Sequence, residues 1–379
     1  MKKVKGLIAA GIAGALIIAF ALVPGCAAAE PEVVVETVVE TVTETVTETV
    51  TETVEVSEEQ PLFALVIHVP IPFTDSMRRG AQNAAEDYGS TNTEILSPSK
   101  MDTMEQIALF DAVVAKGAAG IGVVCADASA WVVPINNAVD QGVLVSTLNV
   151  HAEGSKANMY TGISGYQDGL ALGDALLADD EAMALEGKVI LGSCLPGLPV
   201  LDGRTTGVAE KMAENPNWEV SEVFDTGLSG EATYTFWESA YNANPDMVMG
   251  VGSCAFDLPA IFKLKEKNPE MDFYFASYDL EPDALAALQQ GVVNIAVGQG
   301  PYLQGYLPMM AMYEHLLNGN PMAEGWADPG QEIVTQANVD EFVERETNFV
   351  VEREWYDNDI AERFDPIWEK VKPWDQFVP

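Results

Sequence analysis

The side chains of this chain that could do chemistry fall in short clusters: His68 to Asp75, Asp127 with Trp131, Asn149 to His151, Cys194 to Arg204, Cys254 to Asp257, Asp279 and Gln299. Within them, Phe73, Thr74, Asp75, Asp127, Trp131, Asn149, Arg204, Cys254, Asp279 and Gln299 are the candidate ligand contacts. Aromatic rings, amides, carboxylates and a guanidinium stack and exchange hydrogen bonds. That set suits non-covalent capture of a small polar molecule. Bond-breaking chemistry finds no support, since the sequence has no Gly-x-Ser-x-Gly elbow, His-Glu-x-x-His pair, phosphate loop or nucleophile set beside a base. His68 and His151 sit in separate clusters with too few further ligands for a metal, and His315 lies in a helical stretch. No catalytic residue, metal or cofactor is expected.

These clusters recur because the elements that carry them recur. After Pro61 short apolar runs alternate with amphipathic stretches. Leu62–Ile67, Ala119–Val124 and Val143–Leu148 read as strands, with helices over 75–88, 104–116 and 131–141. A second series follows, with strands over 188–191, 218–224, 246–249 and 272–276 and helices over 207–214, 234–242 and 259–267. Strands separated by helices of this length predict crossover units and parallel sheets. The two series also match in detail. The run GIGVVCADASAW sits where VMGVGSCAFDLP sits, and LVSTLNV where FYFASYDL sits, so Cys125 corresponds to Cys254 and Asn149 to Asp279. The expectation is an α/β protein with two similar doubly wound lobes. Ligands of open parallel sheets bind beyond the carboxyl ends of the strands, and the clusters fall there.

The amino-terminal region has another character. Lys2, Lys3 and Lys5 precede an apolar run from Leu7 to Val23, then Pro24, Gly25 and Cys26. A basic start, an apolar middle and a small residue before a cut are the layout of a secretory signal. The cysteine after that cut resembles the lipobox of bacterial lipoproteins, with Cys26 as the lipid attachment site; an uncleaved helical anchor is the alternative. Residues 26–60 form a stalk in which Glu-Thr-Val-Thr repeats. Its β-branched residues disfavour helix and its glutamates repel one another. Extended, it would reach about 100 Å. The formal net charge is −39, from 19 Lys plus Arg against 58 Asp plus Glu. Nucleic acid and anionic lipid headgroups need a basic surface and are excluded as partners. A surface this acidic suits high salt or low pH, which screen or neutralise its self-repulsion.

Beyond these patterns the body, from about Leu62 to Pro321, resembles the ribose-type periplasmic binding proteins of sugar ABC transporters. The residues that carry the resemblance are Pro72-Phe73, Gly80-Ala81-Gln82, Arg204 with Gly207, Tyr278-Asp279, and Gln299 with Pro301. It implies a periplasmic binding protein type I-like fold, two lobes joined by a three-segment hinge and closing on a ligand in the cleft. The lobes would be 61–163 with about 300–330, and 164–299 with about 331–379 and the tail. Phe73 would stack on a sugar face, Arg204 would donate a fork of hydrogen bonds, Asp279 would accept from hydroxyls, and Gln299 would contact the ligand at the hinge. Ile71, Thr74, Asn149-Val150, Leu228 and Cys254 depart from the family pattern. The ligand therefore stays open among simple sugars, polyols, nucleosides, furanone signals and modified sugars. The implied partners are an ABC permease and, through the lipid anchor only, the outer face of a membrane; a receptor that reads the bound signal is the alternative. A monomer is expected. Cys194 and Cys254 would lie at one sheet edge, either disulfide-bonded or as two buried thiols. The aromatic tail from Asn338 on would pack back on the lobes.

Overall fold

Fifteen hydrophobic side chains, Ala64, Val66, Ile121, Val123 and Trp131 among them, bury one face of a sheet, and strands this apolar on both faces need helices on both. The structure, a computed structural model, describes residues 60–377. The expected signal segment, Cys26 and nearly all of the stalk lie outside the described residues. Among the described residues no helix is long and apolar enough to cross a membrane.

The first lobe runs β1 (Phe63–Val66), α1 (Pro72–Asp87), β2 (Thr93–Leu96), α2 (Thr103–Ala115), β3 (Gly120–Val124), α3 (Ala128–Asp140), β4 (Leu144–Leu148) and β5 (Met159–Thr161). The chain then crosses into the second lobe, through α4 (Gly165–Ala178), α5 (Asp180–Met183), β6 (Gly187–Ser193), α6 (Pro199–Met212), β7 (Trp218–Asp225), α7 (Gly230–Ala243), β8 (Met247–Val251), α8 (Asp257–Lys267), β9 (Tyr274–Tyr278), α9 (Pro282–Gln289) and β10 (Ile295–Gly298). It returns to the first through α10 (Pro301–Leu316) and β11 (Gly325–Ala327), and crosses again to β12 (Glu332–Thr335). The sheet orders are β11-β5-β4-β3-β1-β2 and β12-β10-β9-β8-β6-β7. The same order appears twice, as the internal sequence match implies. Every neighbour pair is parallel except β10 with β12.

The tail divides between the lobes. Helix α11 (Val339–Thr347) joins the second lobe, whose core takes Val339 and Phe342. Helices α12 (Phe349–Arg363) and α13 (Ile367–Lys370) join the first lobe instead, where Tyr356, Ile360, Phe364 and Ile367 enter its core. Tyr356 stacks flat on Tyr302 of α10 at 4.5 Å. The boundary that gave the whole tail to the second lobe is corrected here: the apolar stripe of α12 matches the surface that α1 and α10 leave open.

Helix α6 starts at Pro199, well before the expected residue 207. Proline presets φ for a first helical turn, and the glycines that weaken the helical pattern have a packing role. A Cβ on Gly207 would lie 2.3 Å from Tyr166 O of α4, and one on Gly169 of α4 would lie 2.3 Å from Arg204 O. The first lobe repeats the device. A Cβ on Gly80 of α1 would lie 2.1 Å from Tyr302 O, and one on Gly305 of α10 would lie 1.9 Å from Met77 O. Each lobe thus presses one pair of its helices together, backbone against backbone. Gly305→Ala should destabilise the protein by about 2 kcal/mol or more through forced separation of α1 and α10. Gly169→Ala should do the same between α4 and α6. Chemical denaturation reads both, and a loss no larger than an exposed surface change would refute the close-packing account.

Candidate functional site

Among the described residues, the only non-glycine positions with positive φ are Asn149, at 63°, and Asp279, at 75°. They are the two positions that the internal repeat equates. Asn and Asp tolerate this left-handed region better than other side chains. Each follows the last residue of a central strand, β4 or β9, and turns the chain sharply at the sheet's carboxyl edge. The corners keep the polar side chains at the strand ends.

Gln299, in the crossing between β10 and α10, links the corners. Asn149 Nδ2 donates to Gln299 Oε1 at 3.3 Å and to Gln304 Oε1 at 3.2 Å. Gln299 Nε2 donates to Asp279 Oδ1 at 2.5 Å. Gln304 Nε2 returns a bond to Gln299 O at 2.8 Å. A hydrogen-bonded chain therefore runs from one lobe through the crossing to the other. Burial pushes the Asp279 carboxyl above the usual range, against the pull of the Arg204 charge and the Gln299 bond. Asp279 Oδ2 makes no hydrogen bond with the described residues and remains available.

Two pockets flank this relay. One, of about 180 Å³, is lined by Phe73, Asp75 and Arg79 of the first lobe, Asp279, Glu281 and Gln299, and the tail residues Glu346 and Phe349. The other, of about 220 Å³, has Asn149, His151 and Tyr160 on one side, Pro199 and Val200 of the second lobe on the other, and Phe377 at its edge. Burial lowers the His151 pKa to about 4; its Nδ1 sits 2.8 Å from Thr147 Oγ1, and Trp374 stacks on its ring at 5.0 Å.

The expected contacts separate into two groups. Phe73, Asp75, Asp279 and Gln299 share the first pocket, and Asn149 lies in the second. Four others have structural duties. Thr74 is fully buried; its hydroxyl donates to Val69 O at 2.6 Å and accepts from Ile71 N–H at 3.0 Å, closing the first turn of α1. Trp131 is fully buried and meets Phe110 edge-on at 5.5 Å, so it is a core residue and offers no ligand platform. Arg204 is 2% exposed. Its Nε donates to Asp168 Oδ2 at 2.7 Å and its Nη1 to Ser253 O at 2.9 Å, and its guanidinium lies 4.0 Å over Tyr278. It braces the β9 corner from behind, and only Nη2 lacks a partner among the described residues. Cys254 is joined to Cys194 in a disulfide, beside Leu201, so neither carries a free thiol. Asp127 is exposed at the start of α3 and lines neither pocket, and its carboxylate accepts only from Ser129 Oγ, at 3.0 Å, among the described residues. Sequence reading missed Gln304, the Asp168–Arg204 pair and the tail residues on the pockets. The Gln299-Pro301-Gln304 run was the one available signal, and partners distant in sequence gave none.

Residues 64–321 match the profile of the periplasmic binding protein domain. The chain belongs to that family. Among characterised relatives, the xylose/arabinose-binding protein XylF of Sulfolobus acidocaldarius is 23% identical over 312 residues, covering 75% of this chain and 74% of the relative. Several solved structures share the fold. GanP, a glucose-galactose binding protein of Geobacillus stearothermophilus, superposes with a TM-score of 0.66 at 20% identity, over 74% of this chain and 99% of its own. An ABC transporter solute-binding protein of Burkholderia graminis, solved with D-arabinose, gives 0.68 at 20% identity, over 74% and 97%. The family match ends before α11.

The buried acids of this periplasmic binding protein set a pH dependence. Burial raises Asp257 to about 6 and moves Asp168, Glu281 and Glu346 in the same direction as Asp279. The folded state then binds more protons than the unfolded chain at weakly acid pH, so stability grows as pH falls toward the unfolded carboxylate range. His68 and His151, both lowered to about 4 by burial, act oppositely below the ordinary histidine range. The acids outnumber them. The melting temperature should therefore rise from about pH 7 to about pH 4.5. A steady fall across that window in differential scanning calorimetry would show that the histidines or the ion pairs prevail.

Proposed function

We propose that this protein is an extracytoplasmic solute-binding protein that captures a neutral, hydroxyl-rich small molecule, a simple sugar, between its lobes and delivers it to an ABC permease. The observation that carries the reading is the Asn149–Gln299–Asp279 relay, which puts amide and carboxylate groups where the lobes meet. Amides and carboxylates exchange hydrogen bonds with hydroxyls, and Phe73 beside them offers an apolar face to sugar C–H groups. Family membership and the pentose-binding relative support the same class.

The charge of the pocket narrows that class. Its two arginines are already engaged, Arg79 with Glu352 and Arg345 with Glu332 and Glu346. Asp75, Asp279 and Glu281 also face the pocket. An anionic ligand such as a sugar acid or sugar phosphate would find no unpaired cation among the lining residues. No chemistry is assigned to the site: it binds and releases. In this reading Cys26 carries the lipid, the stalk spaces the lobes from the membrane, and the protein acts as a monomer.

A thermal-shift and calorimetric panel tests the proposal: D-xylose, L-arabinose, hexoses, polyols, nucleosides and furanones, with D-glucuronate as the anionic control. At least one neutral sugar should raise the melting point through linkage, and D-glucuronate should not. Asp279→Asn keeps the backbone preference and removes the charge; it should weaken the best sugar about tenfold or more, as expected for losing a hydrogen bond to a charged group. Silence across the neutral sugars, or unchanged binding by the variant, would sink the assignment.

A further inference from the structure

The tail bridges the two lobes beside the relay, beyond the residues that match the family. Arg345, on α11, is 1% exposed. Its guanidinium pairs with both oxygens of Glu332 on β12, and its Nε donates to Glu346 at 2.9 Å. The same cation lies 5.3 Å from the Trp355 ring and 5.2 Å from the Tyr356 ring, both on α12. A buried cation thus joins second-lobe acids to first-lobe aromatics. On the far side Glu352 of α12 accepts from Arg79 Nε and Nη2 of α1, both at 2.7 Å, and from Ser76 Oγ at 3.2 Å. Buried charged pairs with several partners hold geometry well, because breaking any one strands a charge.

Phe349 lies between these clamps as the first residue of α12. It is 62% exposed, and Arg79 covers it at 4.6 Å from the ring centre. A large apolar ring on a rigid helix start is normally turned into the core. This one lines the same pocket as Phe73, Asp279 and Gln299. Glu346 lines it too, with one oxygen tied to Arg345.

We propose that the tail is a specificity-determining wall of the ligand site, in which Phe349 stacks on the apolar face of the bound sugar and the second oxygen of Glu346 accepts from a hydroxyl. The inference rests on the sugar-binding reading above and extends it: part of this chain's selectivity is written outside the family's own domain.

Calorimetric titration of the full chain with the neutral sugar giving the largest thermal shift tests the wall. Phe349→Ala should weaken binding about tenfold, the upper range for an aromatic stacking contact. Phe349→Trp should restore most of it, and Val350→Ala, at the exposed neighbour, should leave it unchanged. The ligand-free melting point of Phe349→Ala should match the parent, and the ranking of D-xylose against L-arabinose should change. Parent-like affinity in Phe349→Ala overturns the inference while leaving the sugar reading intact. An equal loss in Phe349→Trp and Val350→Ala marks a packing role and also overturns it. A parent chain that binds no neutral sugar overturns the sugar reading, and this inference with it.

Discussion

The structure depends on two left-handed corners and the glutamine that joins them. A non-glycine residue at positive φ costs on the order of 1 kcal/mol, so Asn149 and Asp279 hold that conformation only because their side chains find fixed partners. Gln299 is the partner of both. Its own position is set by the crossing from β10 to α10, which the second sheet and the α1–α10 pair hold from either side. Each lobe's central strand end is therefore referenced to the same crossing residue. The geometry of the candidate site and the geometry of the hinge are one geometry.

The glycine-lined helix pairs make this compact enough to work. Where α4 meets α6, and α1 meets α10, backbone approaches backbone with no room for a Cβ. Helix α6 thereby brings Arg204 down onto Asp168 and Tyr278, so the cation lies behind the β9 corner. Placed so, it sets the electrostatics of Asp279 without meeting solvent. Its field opposes the rise that burial imposes on the Asp279 carboxyl. A carboxylate accepts hydrogen bonds from hydroxyls more strongly than a neutral carboxyl does.

Much of this architecture is legible in the sequence, because strands and helices announce themselves through local periodicity and the halves repeat. The pairing of Asn149 with Asp279 came from aligning two short runs, and the shared backbone conformation explains why those positions correspond. What periodicity does not carry is the direction in which a side chain points. Trp131 and Thr74 fall beside the expected cleft in sequence, yet α3 turns one into the core and the first turn of α1 consumes the other's hydroxyl. Arg204 has the right type and place for a ligand contact, but its destination depends on Asp168, which no local pattern links to it. The cysteines left a choice that only tertiary proximity resolves. The α12 stripe could have been read as amphipathic, but which lobe it covers depends on the groove α1 and α10 leave, a property of the assembled fold.

The tail changes the physical consequences of lobe movement. In a two-lobed binder with a three-segment hinge, the ligand's differential affinity for the closed form is the only free energy available to shift the equilibrium. Here a fourth segment joins the lobes, through Arg345 on one side and Glu352 on the other. Any change of lobe angle must either carry the α11–α12 junction along or draw the buried Arg345 cation, whose paired acids stay with the second lobe, away from the Trp355 and Tyr356 rings of the first. The second course gives up two cation–π contacts of a buried charge, which favours the junction, with Glu346 and Phe349 on it, turning with the lobe angle. A side chain that moves with the cleft contacts a ligand differently in the open and closed forms. If the proposed wall meets the ligand, that difference converts a binding contact into a driving force for closure.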